Sequence, residues 1–149
     1  MYINLNCDLG EGLPNDLEIL PLVGSINLAC CAHAGNPANV LEVMEAAAKL
    51  DILVGAHPGY LDRANFGRVE LQQPIAQLKA DLLFQLGGFM ELAKVANLKI
   101  SHLKPHGALY HRAMKDIELA KLLTQMALSW NLTLVGLKDS ALENAAQER

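Results

Sequence analysis

Lys99-Ile100-Ser101-His102-Leu103-Lys104-Pro105-His106-Gly107-Ala108-Leu109-Tyr110 is the stretch whose reading decides the fold. Lys99 to Leu103, with Ile100 and Leu103 as its apolar residues, reads as a strand, and it runs into Pro105 and Gly107, which end regular structure. Pro105 restricts Lys104 to extended geometry, and Gly107 permits a turn or a close backbone approach that a side chain would block. A lysine, two histidines and a tyrosine therefore stand at the mouth of one strand. Taken alone, Pro-His-Gly marks an ordinary strand-to-helix turn. It is repeated in kind, however: Asp8-Leu9-Gly10-Glu11-Gly12, His33-Ala34-Gly35-Asn36 and His57-Pro58-Gly59-Tyr60 each follow an earlier apolar run.

Working outward from these clusters gives the order of elements. Tyr2 to Cys7 alternates like a strand, and Asn15 is placed to cap a helix carrying Leu17, Leu20 and Val23 up to Gly24. Ser25 to Cys30 is a second strand. Asn36 then reads as an N-cap with Pro37 at the first helical position, and the helix carries Val40, Leu41, Val43, Met44, Ala47 and Leu50 before stopping near Asp51. Ile52 to Ala56 is the third strand, and His57 to Gln73 is the longest irregular region, of the kind in which sites tend to sit. Pro74 opens a long helix with Leu78, Leu82, Leu86, Phe89, Leu92 and Ala93 at helical spacing, interrupted by Gly87-Gly88 as a soft point or a close packing contact. After the strand at Lys99 to Leu103 come a helix near Ile117 to Ser129, a fifth strand at Leu132 to Leu137, and a last helix capped by Asp139 or Ser140.

Strand and helix thus alternate five times, with near-continuous apolar strands, which predicts an α/β fold on a parallel sheet buried on both faces. In such folds ligands bind beyond the carboxyl ends of the strands, where all four polar clusters fall. Four of the five histidines, His33, His57, His102 and His106, lie at or beside strand ends, and His111 is expected to face solvent.

The 149 residues are the size of one domain, with hydrophobic residues at 52% and charged residues at 19%, and the mean hydropathy is +0.19. A net charge of −4 and no run of lysine or arginine give no footprint for nucleic acid or an anionic membrane. No apolar stretch has the ~18 residues of a membrane span, and the start lacks the pattern of a leader. Three cysteines, Cys7, Cys30 and Cys31, fit a reduced, cytoplasmic protein, with the adjacent Cys30 and Cys31 read as small core residues facing opposite ways.

Convergent carboxylates and imidazoles support two chemistries. In one, a divalent cation held by Asp8, His33, His57 or His106 lowers the pKa of a bound water and polarises a carbonyl. In the other, Asp8 or Glu11 acts as base, His57 or His106 carries a proton, and Lys104 with Arg63 or Arg68 neutralises negative charge. Lys104 beside His106 suits an anionic substrate or a phosphorylated intermediate; paired with Asp8 or Glu11, it would instead be structural.

Asp8-Leu9-Gly10-Glu11-Gly12, Asn27-Leu28-Ala29-Cys30 with His33-Ala34-Gly35, Gly55-Ala56-His57-Pro58 with Asp62-Arg63 and Phe66-Gly67-Arg68, and His102 to Tyr110 resemble the motifs of the LamB/YcsF family. The resemblance implies a β/α barrel-like fold related to polysaccharide deacetylases. It implies a role, with two partner subunits, in opening 5-oxoproline to L-glutamate at the expense of ATP with Mg as its counter-ion. On that reading Asp8, Glu11, His57, Lys104 and His106 are the catalytic candidates, and His33, Asn36, Arg63, Arg68, His102 and Tyr110 the substrate-binding ones. No phosphate-binding Gly-x-x-x-x-Gly-Lys-Ser/Thr loop supports ATP independently. The alternatives are a metal-dependent amidase or deacetylase and a catalytically inactive binding subunit.

Two features depart from the family pattern. Cys30-Cys31-Ala32 stands where the pattern has Cys-Gly-Phe, and Asn36 where it has aspartate, which removes a carboxylate beside His33. A full β/α barrel takes ~250 residues, so residues 1–149 are expected to form a single domain equivalent to the N-terminal part of a larger barrel, left incomplete or completed by association through an open sheet edge.

Overall fold

A computed structural model describes residues 3–148. Five parallel strands, β1 (Asn6–Leu9), β2 (Ser25–Ala29), β3 (Leu53–His57), β4 (Ile100–Leu103) and β5 (Thr133–Leu134), pair in the order β1-β2-β3-β4-β5. Neighbours in sequence are neighbours in space, the arrangement of a β/α barrel, and among the described residues β1 and β5 are its two open edges. Tyr2, the start of the first predicted strand, lies outside the described residues, and β1 begins at Asn6. The fifth strand shrinks from six predicted residues to two.

The helices follow their start signals. Helix α2 (Pro37–Lys49) has Pro37 in its first turn, and the Asn36 side chain accepts the Asn39 N–H. Helix α5 (Ile117–Ser129) is capped by Asp116, which accepts from the Glu118 and Leu119 amides, and α6 (Ala141–Gln147) by Ser140, which accepts from Glu143. Each such cap contributes about 1 kcal/mol. Helix α3 (Ile75–Val95) runs unbroken through Gly87-Gly88, where an added Cβ would touch nothing, so the pair is neither a break nor a close contact. Asn15 makes no side-chain cap to the short α1 (Asp16–Ile19), which continues as a 3-10 turn through Leu22. Asp16 is the residue engaged there, accepting the Gly10 N–H at 3.0 Å and so fixing the loop after β1. A further short helix, α4 (Gly107–Ala113), has no start signal in the sequence.

Register decides the character of the two faces. Leu9, Leu28, Ala56, Leu103 and Leu134 are aligned on one face, most of them buried against the helices in one core with Val40, Met44, Leu82, Leu86 and Leu123. Asp8, Asn27, Gly55, His102 and Thr133 are aligned on the other. The expectation of strands apolar on both faces is therefore corrected: the face turned from the helices is a polar row, because successive side chains alternate sides. A Cβ on Gly55 would sit 2.2 Å from the His102 imidazole, so the absence of a side chain lets that ring lie across β3. Cys30 is buried, but Cys31 is half-buried with φ of +62° and is not in a strand.

Candidate active site

The row and the loops above it build one polar centre. Asp8 is near the end of β1, His57 ends β3, Lys104 follows β4, His106 occupies the N-cap position of α4, and Glu11 and His33 come from the loops after β1 and β2. Lys104 Nζ donates to Asp8 Oδ1 at 2.8 Å and Oδ2 at 3.1 Å. Buried Asn27 donates from Nδ2 to Asp8 Oδ1 at 2.6 Å and to Asn6 Oδ1. Its Oδ1 must then accept, so the His102 Nε2 at 2.8 Å carries a proton, and the His102 Nδ1 lies 2.7 Å from the Ser101 Oγ, which is also 3.1 Å from the Val54 carbonyl. Burial first, and then the Lys104 charge, push the His102 pKa down. Desolvation works to raise the Asp8 pKa, but His57, Lys104 and Asn27 outweigh it and hold that carboxyl well below the carboxylate range.

The remaining imidazoles are short of protons. His57 Nδ1 lies 2.6 Å from the Lys104 carbonyl and His106 Nε2 lies 2.9 Å from the Phe66 carbonyl, so both of these nitrogens donate. In neutral rings the other two nitrogens are then bare, yet His57 Nε2 and His106 Nδ1 face each other at 3.0 Å. Three contacts need three protons and two neutral imidazoles supply two. Carboxylates surround the gap: Asp8 Oδ2 is 3.5 Å from His57 Nε2, and Glu11 Oε1 is 3.3 Å from His106 Nδ1 and 3.5 Å from His33 Nε2. Glu11 Oε1 and both ring nitrogens of His33 are buried without a hydrogen-bond partner. Burial pushes the His106 pKa down to about 4, aided by the neighbouring His33 and His57, and likewise lowers that of His33. Desolvation of Glu11 favours its neutral form, but His33 and the surrounding imidazoles more than offset it, and its pKa is lowered.

The loop over the centre is held from outside. Gln85 on α3 bonds both the N–H and the C=O of Gly59, at 3.1 and 2.9 Å. Phe66 is left-handed, with φ of +56°, which turns its carbonyl toward His106, and the adjacent Gly67 lies against His33, where a Cβ would approach to 2.7 Å. His33 and His106 stack face to face at 3.7 Å and 4°.

The structure separates the sequence-predicted residues into groups. Asp8, Glu11, His33, His57, Lys104 and His106 meet in the centre. Asp8, His57, Arg68, Lys104, His106 and Tyr110 line the open cavity above it, of about 510 Å³, with exposed His111 on its wall. Arg68 also lies over the Phe66 ring at 5.4 Å. His102 sits one layer deeper, bonded to Asn27. Arg63 does not join them: its Nη2 donates to the carbonyls of Cys31 and Gly35 and pins the His33 loop. Asn36 is exposed, with its side-chain oxygen on the α2 cap. Both corrections have one cause, since nearby backbone groups claim these side chains. Gln85 is a support residue that the sequence reading misses, and Asn27 and buried Tyr60, whose hydroxyl accepts from Arg112 at 3.4 Å, stand in motifs it quotes but receive no role there. The period-two polar sets Asn6/Asp8 and Ser25/Asn27 are the signal that points to Asn27.

A sequential parallel sheet with acidic, imidazole and ammonium groups gathered at its carboxyl rim defines a barrel-type β/α protein with a polar centre suited to acid–base or cation chemistry. The family model described as LamB/YcsF family matches residues 3–149, and the chain belongs to that family. It is similar to proteins named as 5-oxoprolinase subunits of the A type, from Acinetobacter baylyi, with 41% identity over 99% of this chain and 61% of the relative, and from Histophilus somni, with 40% identity over 98% and 60%. The crystal structure of a lactam utilization protein from Thermus thermophilus superposes with a TM-score of 0.92 at 38% identity, over 99% of this chain and 63% of that one. A putative cellobiose-phosphate cleavage protein from Enterococcus faecalis shares the fold, with a TM-score of 0.65 at 13% identity over 96% of this chain and 63% of that one. The chain spans about three-fifths of the length of these relatives. Among the described residues no helix is long and apolar enough to cross a membrane.

Proposed function

We propose that this chain carries the lactam-opening centre of a 5-oxoprolinase, as its A-type subunit, working with two partner subunits and ATP to convert 5-oxoproline to L-glutamate. The convergence of Asp8, Glu11, His57, Lys104 and His106 beneath one open cavity is the observation that carries this reading, and the names of the relatives at about 40% identity support it. A five-membered lactam resists water because its nitrogen is a poor leaving group. ATP, with its Mg counter-ion, would supply phosphorylation of the amide oxygen, which converts the lactam into an activated imidate.

This chain's residues then bind and move protons. Arg68 holds the substrate carboxylate or phosphate by charge-assisted bonds, and Lys104, paired with Asp8 at 2.8 Å, fixes the Asp8 carboxylate at the cavity floor. Glu11, whose Oε1 has no hydrogen-bond partner, takes the proton of the attacking water. The His57–His106 pair passes a proton to the nitrogen as the C–N bond breaks, which leaves the side-chain carboxyl as an acyl phosphate, and a second water hydrolyses it to L-glutamate and inorganic phosphate.

The assembly is part of the same proposal. The unpaired backbone edges of β1 and β5 among the described residues support association with partners or with a second copy.

Glutamate release from 5-oxoproline, with ATP and both partner subunits present, tests the reading. His106→Ala and Asp8→Ala should each lower the rate by roughly 100-fold or more. Unchanged rates in both would reject the site. A second reading, a metal-dependent amidase, is favoured by the surplus of acceptors around His57 and His106; amide hydrolysis without ATP, abolished by a chelator, would select it.

A further inference from the structure

Gln85 belongs to the helix layer and not to the centre, yet it is only 6% exposed and its whole amide is engaged by one peptide unit. Its Oε1 accepts the Gly59 N–H at 3.1 Å and its Nε2 donates to the Gly59 C=O at 2.9 Å. Gly59 is buried and makes no backbone–backbone bond among the described residues, so both of its polar groups depend on this side chain. The pairing has one orientation, because the amide oxygen can only accept and the nitrogen only donate. The cavity of about 330 Å³ beside Gln85 supplies no rival, being lined by thiols and apolar groups such as Cys30, Cys31, Phe84 and Phe89.

Gly59 in turn lies against the imidazole stack. A Cβ there would fall 2.7 Å from His33 Nδ1 and 3.4 Å from His106 Cβ, so bare backbone closes one edge of both residues. Gly67 closes another, where a Cβ would fall 2.7 Å from His33 Cβ and 3.1 Å from His106 Cδ2. The Pro58 carbonyl, next to Gly59, accepts the His106 N–H at 2.8 Å. Neither ring nitrogen of His33 has a hydrogen-bond partner. Packing therefore holds that ring 3.7 Å from the His106 ring, with its Nε2 3.5 Å from Glu11 Oε1. A ring held by packing keeps its place only while its wall does. Without the Gln85 amide, the Gly59 peptide has to turn toward water for its hydrogen bonds, which draws it away from His33.

We propose that Gln85 is a positioning residue of the centre: through the Gly59 peptide it fixes the His33–His106 stack and, by way of His33, the orientation of Glu11. It does not touch the reacting groups, since other residues line the open cavity above the centre. Its effect on turnover rests on the reading of Glu11 and His106 as the water-activating and proton-passing groups. Its effect on ring geometry does not.

Long-range proton–nitrogen NMR of the histidine-labelled chain, without lactam, nucleotide or partner subunit, reads the rings directly. Gln85→Met keeps the length of the side chain and removes both bonds. The His33 and His106 resonances should shift and the cross-peaks between their ring protons weaken, while His102, bonded to Asn27 one layer deeper, keeps its parent position. Gln85→Glu is the sharper arm. A neutral carboxyl repeats both bonds, its O–H donating to the Gly59 C=O, whereas a carboxylate cannot donate and sets its charge against that carbonyl. Burial raises a carboxyl pKa, so this variant should match the parent at about pH 5.5 and depart from it at about pH 8. The titratable neighbours are Cys30 and Cys31, whose thiols burial pushes up, with Arg63 beside Cys31, and His33 across Gly59; all are present alike in the parent. In the reconstituted enzyme Gln85→Met should lower kcat by roughly 10- to 100-fold with KM little changed. Parent-like His33 and His106 resonances in Gln85→Met would overturn the proposal. So would an equal displacement of His102, which marks general loosening, or a Gln85→Glu departure that is the same at both pH values. If Gln85→Met does not fold, the Gln85→Glu comparison decides alone. Displaced rings with an unchanged kcat would uphold the positioning and count instead against the lactam-opening roles of Glu11 and His106.

Discussion

Replacing Asn27 with alanine removes the link between the exposed Asp8 carboxylate and the buried His102 ring, and the geometry sets the cost. Asn27 is fully buried and ties Asp8 Oδ1, at 2.6 Å, to His102 Nε2, at 2.8 Å. Truncation leaves the His102 N–H without an acceptor, a loss of about 1–3 kcal/mol, and deletes a hydrogen bond to a charged group that contributes about 1.5–3 kcal/mol. The two losses share one side chain and overlap, so about 3 kcal/mol is expected in total. With a urea dependence of about 1–3 kcal/mol per molar, the unfolding midpoint should fall by about 1–3 M. Equilibrium urea unfolding followed by far-UV circular dichroism measures this. A double-mutant cycle with His102→Ala should return a coupling of at least about 1 kcal/mol, because the partner's unsatisfied donor disappears with it. A midpoint shift under about 0.3 M, or a coupling near zero, would refute the bonded Asp8–Asn27–His102 chain. Asn27→Asp should be worse than alanine, since it sets a second carboxylate against Asp8.

Other consequences are equally direct. Gly55→Ala should cost about 2 kcal/mol or more in thermal unfolding, because its Cβ would fall 2.2 Å from a His102 ring bonded at both nitrogens. Asn131 follows α5 with φ of +54°, so Asn131→Val should destabilise by about 1–2 kcal/mol while Asn131→Gly is near neutral, checked by the same melts. For Asp116, desolvation opposes the charged form, but the Leu119 amide and Arg112 outweigh it and the folded-state pKa is lowered. Its stabilisation is therefore present above the unfolded pKa of about 3.9 and lost as pH falls through the folded value. Asp116→Asn should be less stable than the parent near pH 7, with the difference closing as pH falls through the lowered folded-state value in a pH series of unfolding midpoints.

The arrangement of elements is largely legible from local signals. Pro37 after Asn36, Pro74, Ser140 and the helical spacing of Leu78 through Ala93 place three helices, and the turn residues after each apolar run place the polar clusters at one rim. The helix α4 is hidden because Pro105 and Gly107 read as breakers, whereas the helix uses Gly107 as its first residue, with φ of +52°. Arg63 and Asn36 stay outside the centre although their types suit an anion or a cation, and only the course of the chain shows that the Cys31 and Gly35 carbonyls and the Asn39 amide lie nearer.

By itself the amino-acid order determined an alternating β/α chain with its reactive side chains at the strand ends, because caps, breakers and hydrophobic period act within a few residues. Which of those groups meet was decided by the tertiary structure. Parallel pairing sets Asp8 beside Asn27 and Gly55 beside His102, and the loop from His57 to Arg68 carries Phe66 and Gly67 over the histidines. Contacts between residues 49 and 96 positions apart, such as His57 with His106 and Asp8 with Lys104, depend on strand order and on which face each side chain takes, and neither is written in any local stretch.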